Sequence, residues 1–202
     1  MASYESIRPL LKTGDLVLFS GKGGISEGIK WFTGSNWSHI GVVMRLPDQF
    51  DAVLLWESTT LGTAADVFSG RIEKGVMLVP LSARLRNYRG EVAVRMLSVQ
   101  DRSPVIRAAS VVREKYKRTP YERNYWELFR SAYDGLLGRN RRDTSSLFCS
   151  EAVAELYQAA ALLPSDPPSN EYTPEDFARM QLDGRCTFDP AAELGPVVML
   201  DG

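Results

Sequence analysis

Cys149 is the residue of this chain best placed to act as a nucleophile. It lies in FCSEAVAELY, where the apolar residues that follow it have helical spacing. A helix that begins at the cysteine would favour the thiolate, which is the form that attacks carbonyl carbons. The free N–H groups at that helix end, including the N–H of Cys149, could also hold the oxyanion that the attack creates. The same pattern is typical of a buried cysteine that packs as a small apolar side chain, so the motif alone leaves both interpretations open.

A thiol nucleophile needs a base, and His39 is the single histidine of the chain. It lies in NWSHIGVVMR, at the start of a predicted strand. Asn36 and Ser38 before it indicate an exposed edge, and the apolar residues after it indicate a buried strand body. A histidine at such a strand end can be presented to a cleft, although an ordinary surface or capping histidine would give the same local pattern.

Two apolar runs at and after the histidine predict a β-hairpin. HIGVVMRL covers His39–Leu46, AVLLWE covers Ala52–Glu57, and the turn formers Pro47 and Asp48 lie between them. Two such runs around a proline are typical of paired antiparallel strands. The end of the second strand then returns beside the start of the first, which places Glu57 next to His39.

Glu57 is therefore the predicted third member of the site, where a carboxylate would fix the tautomer of the imidazole and stabilise its charged form. An acidic residue at the end of an apolar run also needs a partner if it is buried. The alternative is a carboxylate at a strand end that faces water. Asp51 and Asp66 are weaker candidates for the same role.

The remaining pattern predicts sheet in the first half of the chain and helix in the second. The predicted strands besides the hairpin are Asp15–Phe19, Val76–Leu81 and Glu91–Leu97. Predicted helices cover Ile25–Phe32, the stretch after Ser103, Asn124–Leu137 and Cys149–Leu163. The helix after Ser103 has an apolar stripe formed by Val105, Ala108, Ala109, Val112 and Tyr116. A last short helix is capped by Thr173 and contains Pro174, Glu175 and Asp176. The polar stretch GRNRRDTSS is predicted to be a loop.

The composition favours one globular domain over residues 1–202. The chain is 44% hydrophobic and 24% charged, and its formal net charge of −1 offers no positive field for nucleic acid or an anionic membrane. No apolar segment is long enough to span a bilayer and the first residues lack the pattern of a signal peptide, so we expect a cytoplasmic protein without integral membrane association.

The small number of metal-binding side chains argues against a cofactor. Cys149 and Cys186 could form one disulfide, but two free thiols are the expectation for a cytoplasmic chain. With one histidine and no paired Cys-x-x-Cys, a zinc site would need carboxylates for most of its ligands. We therefore expect no metal and no cofactor.

Read in order, the motifs GDLVLFSG, WSHIGVV, LLWES, TPYERN and FCSEAVAELY are similar to a known superfamily. Over roughly Gly14 to Ala178, the chain resembles the circularly permuted NlpC-type papain-like superfamily, and most closely its YiiX/YebB-like branch, which is related to lecithin:retinol acyltransferase. In the permuted group the histidine precedes the cysteine, as it does here. The resemblance implies an α+β papain-like fold, with an antiparallel sheet packed against helices and the catalytic cysteine on a late helix.

The resemblance also implies roles for individual residues. It makes Cys149 the nucleophile, His39 the base and Glu57 the acidic third residue, and it places Tyr121, in TPYE, near the cleft as a residue that binds substrate or packs. For substrate binding we further expect Trp37, Ser38 and Ser150. The sequence departs from the family in a basic loop at Gly138–Asp143, whose arginines Arg139, Arg141 and Arg142 could hold a carboxylate or phosphate or could simply be solvated.

The resulting hypothesis is a cysteine hydrolase that cleaves an amide or ester bond through a thioester acyl-enzyme. Amidase, peptidase and lipid esterase activities share these steps, and the expected substrates are small peptides, acyl amides or lipids. Acyl transfer at the same site is one alternative. A non-catalytic module that binds an acyl chain or a peptide, or a scaffold protein whose cysteines belong to the core, is the other.

Overall fold

The computed structural model describes residues 1–21, 36–46, 51–59, 62–73, 75–117, 144–180 and 188–201, with the backbone alone at 117 and 144–148. Several predictions lie outside the described residues. They are the helices Ile25–Phe32 and Asn124–Leu137, the turn at Pro47 and Asp48, the basic loop Gly138–Asp143, and the residues Tyr121 and Cys186.

The fold is mixed α+β and is built on a six-stranded sheet with the order β4-β3-β2-β1-β5-β8, in which every described pairing is antiparallel. The strand bounds are β1 Leu16–Gly21, β2 His39–Met44, β3 Leu54–Thr59, β4 Gly75–Pro80, β5 Gly90–Arg95 and β8 Val198–Met199. Two further strands, β6 Leu97–Val99 and β7 Ala192–Leu194, pair separately. The predicted β2–β3 hairpin is confirmed, because Val42 pairs with Trp56 and Met44 with Leu54.

Helices pack against this sheet. Their bounds are α1 Tyr4–Ile7, α2 Leu81–Arg86, α3 Ser103–Lys117, α4 Thr144–Ala159 and α5 Pro174–Arg179, with a 3-10 turn at Ser169–Glu171. The predicted apolar stripe of α3 is buried at four of its five positions, and Tyr116 packs against it. The predicted cap of α5 is also confirmed: Thr173 and Asp176 form a reciprocal capping box. Among the described residues, no helix is both long and apolar enough to cross a membrane.

Both faces of the sheet are covered. We call one the helical face, where α3 and α4 pack on residues such as Leu18, Ile40 and Trp56. The other is the N-terminal face, where Ile7 and Leu11 of the N-terminal segment and the short helix α2 cover residues such as Phe19 and Leu55. Strands buried on both sides are apolar at nearly every position, which explains the continuous apolar runs of the sequence.

Most predicted strands differ from the observed ones by one or two residues at their ends, and three boundary errors have a clear physical reason. The strand predicted over Glu91–Leu97 divides at Met96, because the Leu97 N–H leaves the large sheet and donates to the Asp15 carboxylate at 3.0 Å. The strand predicted to end at Leu81 ends one residue earlier, where Pro80 caps α2. Helix α4 covers Thr144–Ala159 and not Cys149–Leu163, so part of the predicted GRNRRDTSS loop is helical.

Candidate active site

The candidate site is centred on the first residue of β2. His39 pairs with Phe19 of β1, and the two rings lie 5.5 Å apart between centroids. The side chain of His39 is 14% exposed, so the imidazole is largely enclosed but still reached by solvent. Because β2 begins at His39, the imidazole lies at the end of its strand.

The hairpin brings Glu57 beside His39. Continuing the β2–β3 register by one residue sets Glu57 opposite Gly41, which lies two residues from His39 on the same face of the sheet. The Glu57 Oε2 is 2.6 Å from His39 Nε2, and the glutamate side chain has no exposed surface. A buried carboxylate and an imidazole therefore form a close pair.

Arg84, a residue outside the predicted site, holds the same carboxylate from the other side. Its Nε donates to both Glu57 oxygens, at 2.8 and 3.1 Å, and a terminal nitrogen donates to the Thr63 hydroxyl at 3.0 Å. The guanidinium also stacks 4.7 Å from the ring centroid of Phe19 and 5.0 Å from that of Tyr88. The available signal was the spacing of Arg84 three residues after the apolar Leu81, which places it on the buried side of a helix turn.

Cys149 reaches His39 from the helical face. The Cys149 side chain raises the pKa of His39 both by its charge and as a hydrogen-bond partner, and because Glu57 contacts Nε2, we infer that Nδ1 is the ring nitrogen that faces the thiol. Cys149 forms no disulfide, and 1% of its surface is exposed. Because His39 is at the end of its strand, the one imidazole contacts a thiol from the helical face and a carboxylate from the N-terminal face.

The charges of these neighbours determine the protonation of His39. Burial alone would lower its pKa, but Cys149 and Glu57 outweigh burial and raise the pKa to about 9. Burial would raise the pKa of Glu57, but His39 and Arg84 hold it below its ordinary value. At neutral pH the imidazole is therefore a cation that lies between an ionised carboxylate and the cysteine.

The backbone of Cys149 differs from the prediction. Because α4 begins at Thr144, Cys149 lies in its second turn, where N–H groups bond to the carbonyl four residues earlier. The helix therefore provides an acceptor for this N–H, which argues against the predicted role of the N–H in holding an oxyanion. The effect of the helix dipole falls off within the first turn, so the dipole of α4 acts only weakly at Cys149.

Three of the residues expected to bind substrate lie in the described part of the chain, and each has a structural contact of its own. The Ser38 hydroxyl accepts from Gly21 N–H and donates to the Phe19 carbonyl, both at 3.2 Å, so it ties the ends of β1 and β2 together. Trp37 is buried in the cluster of the helical face. Ser150 has no exposed surface and donates to the Tyr172 carbonyl at 2.6 Å, so its hydroxyl holds a loop and is not open to a substrate.

The geometry joins a thiol, an imidazole, a carboxylate and a guanidinium at the end of an antiparallel sheet in an α+β fold. Across the described ranges, no three histidine, cysteine, aspartate or glutamate side chains cluster in a way that could hold a metal ion. Thiol and imidazole side chains are the groups that nucleophilic attack and proton transfer require in cysteine-dependent acyl transfer.

Comparison with known proteins gives a likeness in structure but none in sequence. No protein-family model matches the chain, and no curated protein matches it. The crystal structure of the metalloprotein YiiX from Escherichia coli O157:H7 is similar at 16% sequence identity, over 95% of this chain and 97% of that one, with a TM-score of 0.47. At that score the likeness supports no conclusion about function.

Proposed function

We propose that this protein is a cysteine hydrolase of the circularly permuted papain-like type, in which Cys149 attacks, His39 transfers protons and Glu57 orients His39. The observation that carries the proposal is the imidazole of His39, which lies 2.6 Å from the buried carboxylate of Glu57 and also interacts with the Cys149 thiol. The order of the motifs around His39, Glu57 and Cys149 supports the same family. The proposed substrates are small peptides, acyl amides or lipids.

The proposed reaction has two steps. In the first, Cys149 Sγ bonds to a carbonyl carbon, the C–N or C–O bond of the substrate breaks, and the leaving group takes the Nδ1 proton of the imidazolium. In the second, a water gives a proton to the neutral imidazole and attacks the thioester, which releases a carboxylic acid and restores the thiolate. An imidazole with a raised pKa is charged at the start, as the first step requires. In an acyltransferase, an amine or alcohol would replace the water.

The burial of Cys149 favours a second candidate, a non-catalytic module on the same fold. With 1% of its surface exposed, the cysteine is packed as a core residue would be. The two candidates differ in the accessibility and reactivity of the thiol, which chemical labelling measures directly.

The test is the rate of iodoacetamide labelling at Cys149 as a function of pH, followed by peptide mass spectrometry in the wild type and in His39→Ala. We expect Cys149 to label roughly tenfold faster than Cys186 near pH 6.5, and His39→Ala to remove the difference, because the charged imidazole stabilises the thiolate. Cys186→Ala is the matched control and should leave the rate at Cys149 unchanged.

Hydrolysis of a panel of acyl amides and esters then tests turnover. Cys149→Ala should reduce any hydrolysis by at least about 1000-fold, as loss of a nucleophile does elsewhere. If the two cysteines label alike, or His39→Ala changes nothing in a folded protein, the hydrolase proposal fails and the binding module replaces it.

A further inference from the structure

The described hydrogen bonds of Arg84 go to Glu57 and Thr63 and not to the thiol or the imidazole. Through its bonds to both carboxylate oxygens, Arg84 affects the orientation in which Glu57 contacts His39. We propose that Arg84 is a positioning residue: it fixes the Glu57 carboxylate in the orientation that His39 requires, and its permanent charge limits how strongly that carboxylate holds the proton of His39. The consequence for turnover rests on the proposed function, but the effect on His39 does not.

The hydrogen bonds leave the carboxylate one orientation. Oε2 receives both His39 Nε2 at 2.6 Å and Arg84 Nε at 3.1 Å, while Oε1 receives Arg84 Nε at 2.8 Å. A rotation of the carboxylate would break contacts at both oxygens. With no exposed surface on Glu57, water is not available to replace them.

Arg84 is itself held in place. Its side chain is 4% exposed, a terminal nitrogen is bonded to Thr63, and its guanidinium lies against the rings of Phe19 and Tyr88. Asn87, just after α2, donates to the Thr63 carbonyl at 3.0 Å, so the loop that carries Thr63 is tied to the same helix. Such a side chain acts as a rigid support for the carboxylate and not as a mobile surface charge.

The charges of Glu57, His39 and Arg84 determine how strongly the carboxylate stabilises the protonated imidazole. Glu57 has one negative charge and two cationic neighbours, of which His39 can lose its proton and Arg84 cannot. Arg84 thus shares the carboxylate with His39 and repels the imidazolium, so removal of the Arg84 charge should raise the pKa of His39. We expect Glu57 to stay ionised without Arg84, because His39 contributes more than Arg84 to lowering the pKa of Glu57.

This balance matters to the proposed second step, in which His39 must be neutral to accept a proton from water. Each unit by which the pKa of His39 rises reduces the neutral fraction about tenfold at a pH well below that pKa. Arg84 therefore favours release of the acyl group, whereas Glu57 favours the charged imidazole needed to form it.

The experiment is an NMR titration of the imidazole, which is unambiguous because His39 is the only histidine. It compares wild type, Arg84→Gln, Arg84→Lys and the matched control Arg86→Gln, which removes an exposed charge from the same helix. We expect Arg84→Gln to raise the pKa of His39 by about one unit, as loss of one nearby charge does. Arg84→Lys, which keeps the charge, should stay within about half a unit of wild type, and Arg86→Gln should not differ from it.

An unchanged or lowered pKa in folded Arg84→Gln overturns the proposal, as does an equal rise in Arg86→Gln. If Arg84→Gln does not fold, Arg84→Lys decides, because a rise of a full unit with the charge retained would overturn it. If the pKa shifts but no substrate is hydrolysed, Arg84 keeps its role and the proposed hydrolase fails. If Cys149-dependent hydrolysis persists with the same pH profile in Arg84→Gln, the hydrolase stands and the role of Arg84 is refuted.

Discussion

His39, Glu57 and Arg84 form an array of charges in which each group stabilises the charge of its neighbour. Glu57 has no exposed surface, so its ionised form requires a cationic neighbour, and Arg84 has no other carboxylate among its described contacts. Removing one partner of a buried ion pair leaves an uncompensated charge, which is more costly than loss of the attraction alone. The site residues therefore contribute to the stability of the fold as well as to its proposed chemistry.

That dependence gives a pH prediction for Glu57. Its pKa in the folded protein lies below the ordinary value of 4.5, so the stability it contributes is present above pH 4.5 and is lost as the pH falls through the lowered pKa. We expect Glu57→Gln to lower the free energy of unfolding by about 3 kcal/mol at pH 7 and the gap to wild type to narrow below about pH 4.5.

Urea denaturation at several pH values measures this gap. Glu91→Gln, at an exposed position of β5, is the control and should show a small gap that does not narrow in the same way. A gap between Glu57→Gln and wild type that stays constant from pH 7 to pH 3 would mean that Glu57 is not held ionised by its neighbours.

At the scale of elements, the β2–β3 hairpin determines the distance between His39 and Glu57. Gly41 lies opposite Glu57 and two residues from His39 in β2. A Cβ atom added to Gly41 would be 2.8 Å from Leu55 Cδ1 and 2.9 Å from the Trp56 carbonyl oxygen. Both distances are shorter than any comfortable contact, and the backbone oxygen cannot move without shifting β3. Glycine is therefore required for the close approach of these two strands.

Gly41→Ala should consequently lower the free energy of unfolding by about 1–3 kcal/mol, as overpacking of a core does. The displaced strand should also weaken the His39–Glu57 contact, so the pKa of His39 should fall. Thermal unfolding and the NMR titration measure the two effects. Gly70→Ala is a useful comparison for the contact effect, because a Cβ there meets no atom within 4 Å, although its φ of +68° adds backbone strain. A pKa of His39 unchanged in Gly41→Ala would show that the hairpin spacing tolerates the methyl group.

The elements also show what local sequence can and cannot predict. The hairpin was predictable because two apolar runs flank a turn, and α5 because Thr173, Pro174 and Asp176 are a cap pattern. The start of α4 was not, since Thr144 and the two serines after it suit a loop as well as a first helical turn. Helix α2 was hidden because its first residue, Leu81, continues the apolar run of β4.

At the scale of the whole molecule, Arg95 joins parts of the chain that are far apart in sequence. It is fully buried at the end of β5, and its guanidinium donates to five carbonyls. Three of them, at Phe177, Ala178 and Met180, belong to the end of α5 and the residue after it, and two, at Leu194 and Gly195, belong to β7 and the residue after it. Such contacts, like that between Arg84 and Glu57, depend on tertiary structure and leave no mark in local spacing.

Arg95→Met should therefore lower the free energy of unfolding by at least about 3 kcal/mol, because several buried carbonyls lose their donor. The exposed Arg89→Met is the control and should change stability little. Limited proteolysis should then cut the segment after α5 sooner in Arg95→Met than in wild type. Equal stability of the two variants would show that water or other donors satisfy these carbonyls.

The position of His39 at the end of its strand has a consequence for the folding of the chain. The imidazole and the Glu57 carboxylate both belong to the sheet, whereas the thiol comes from α4 on the helical face and the Arg84 guanidinium comes from α2 on the N-terminal face. A chain in which α4 has not yet docked on the sheet would therefore have an ordinary cysteine. The proposed reactivity of the Cys149 thiol would thus report the docking of α4, and the newly synthesised chain would lack it until that step is complete.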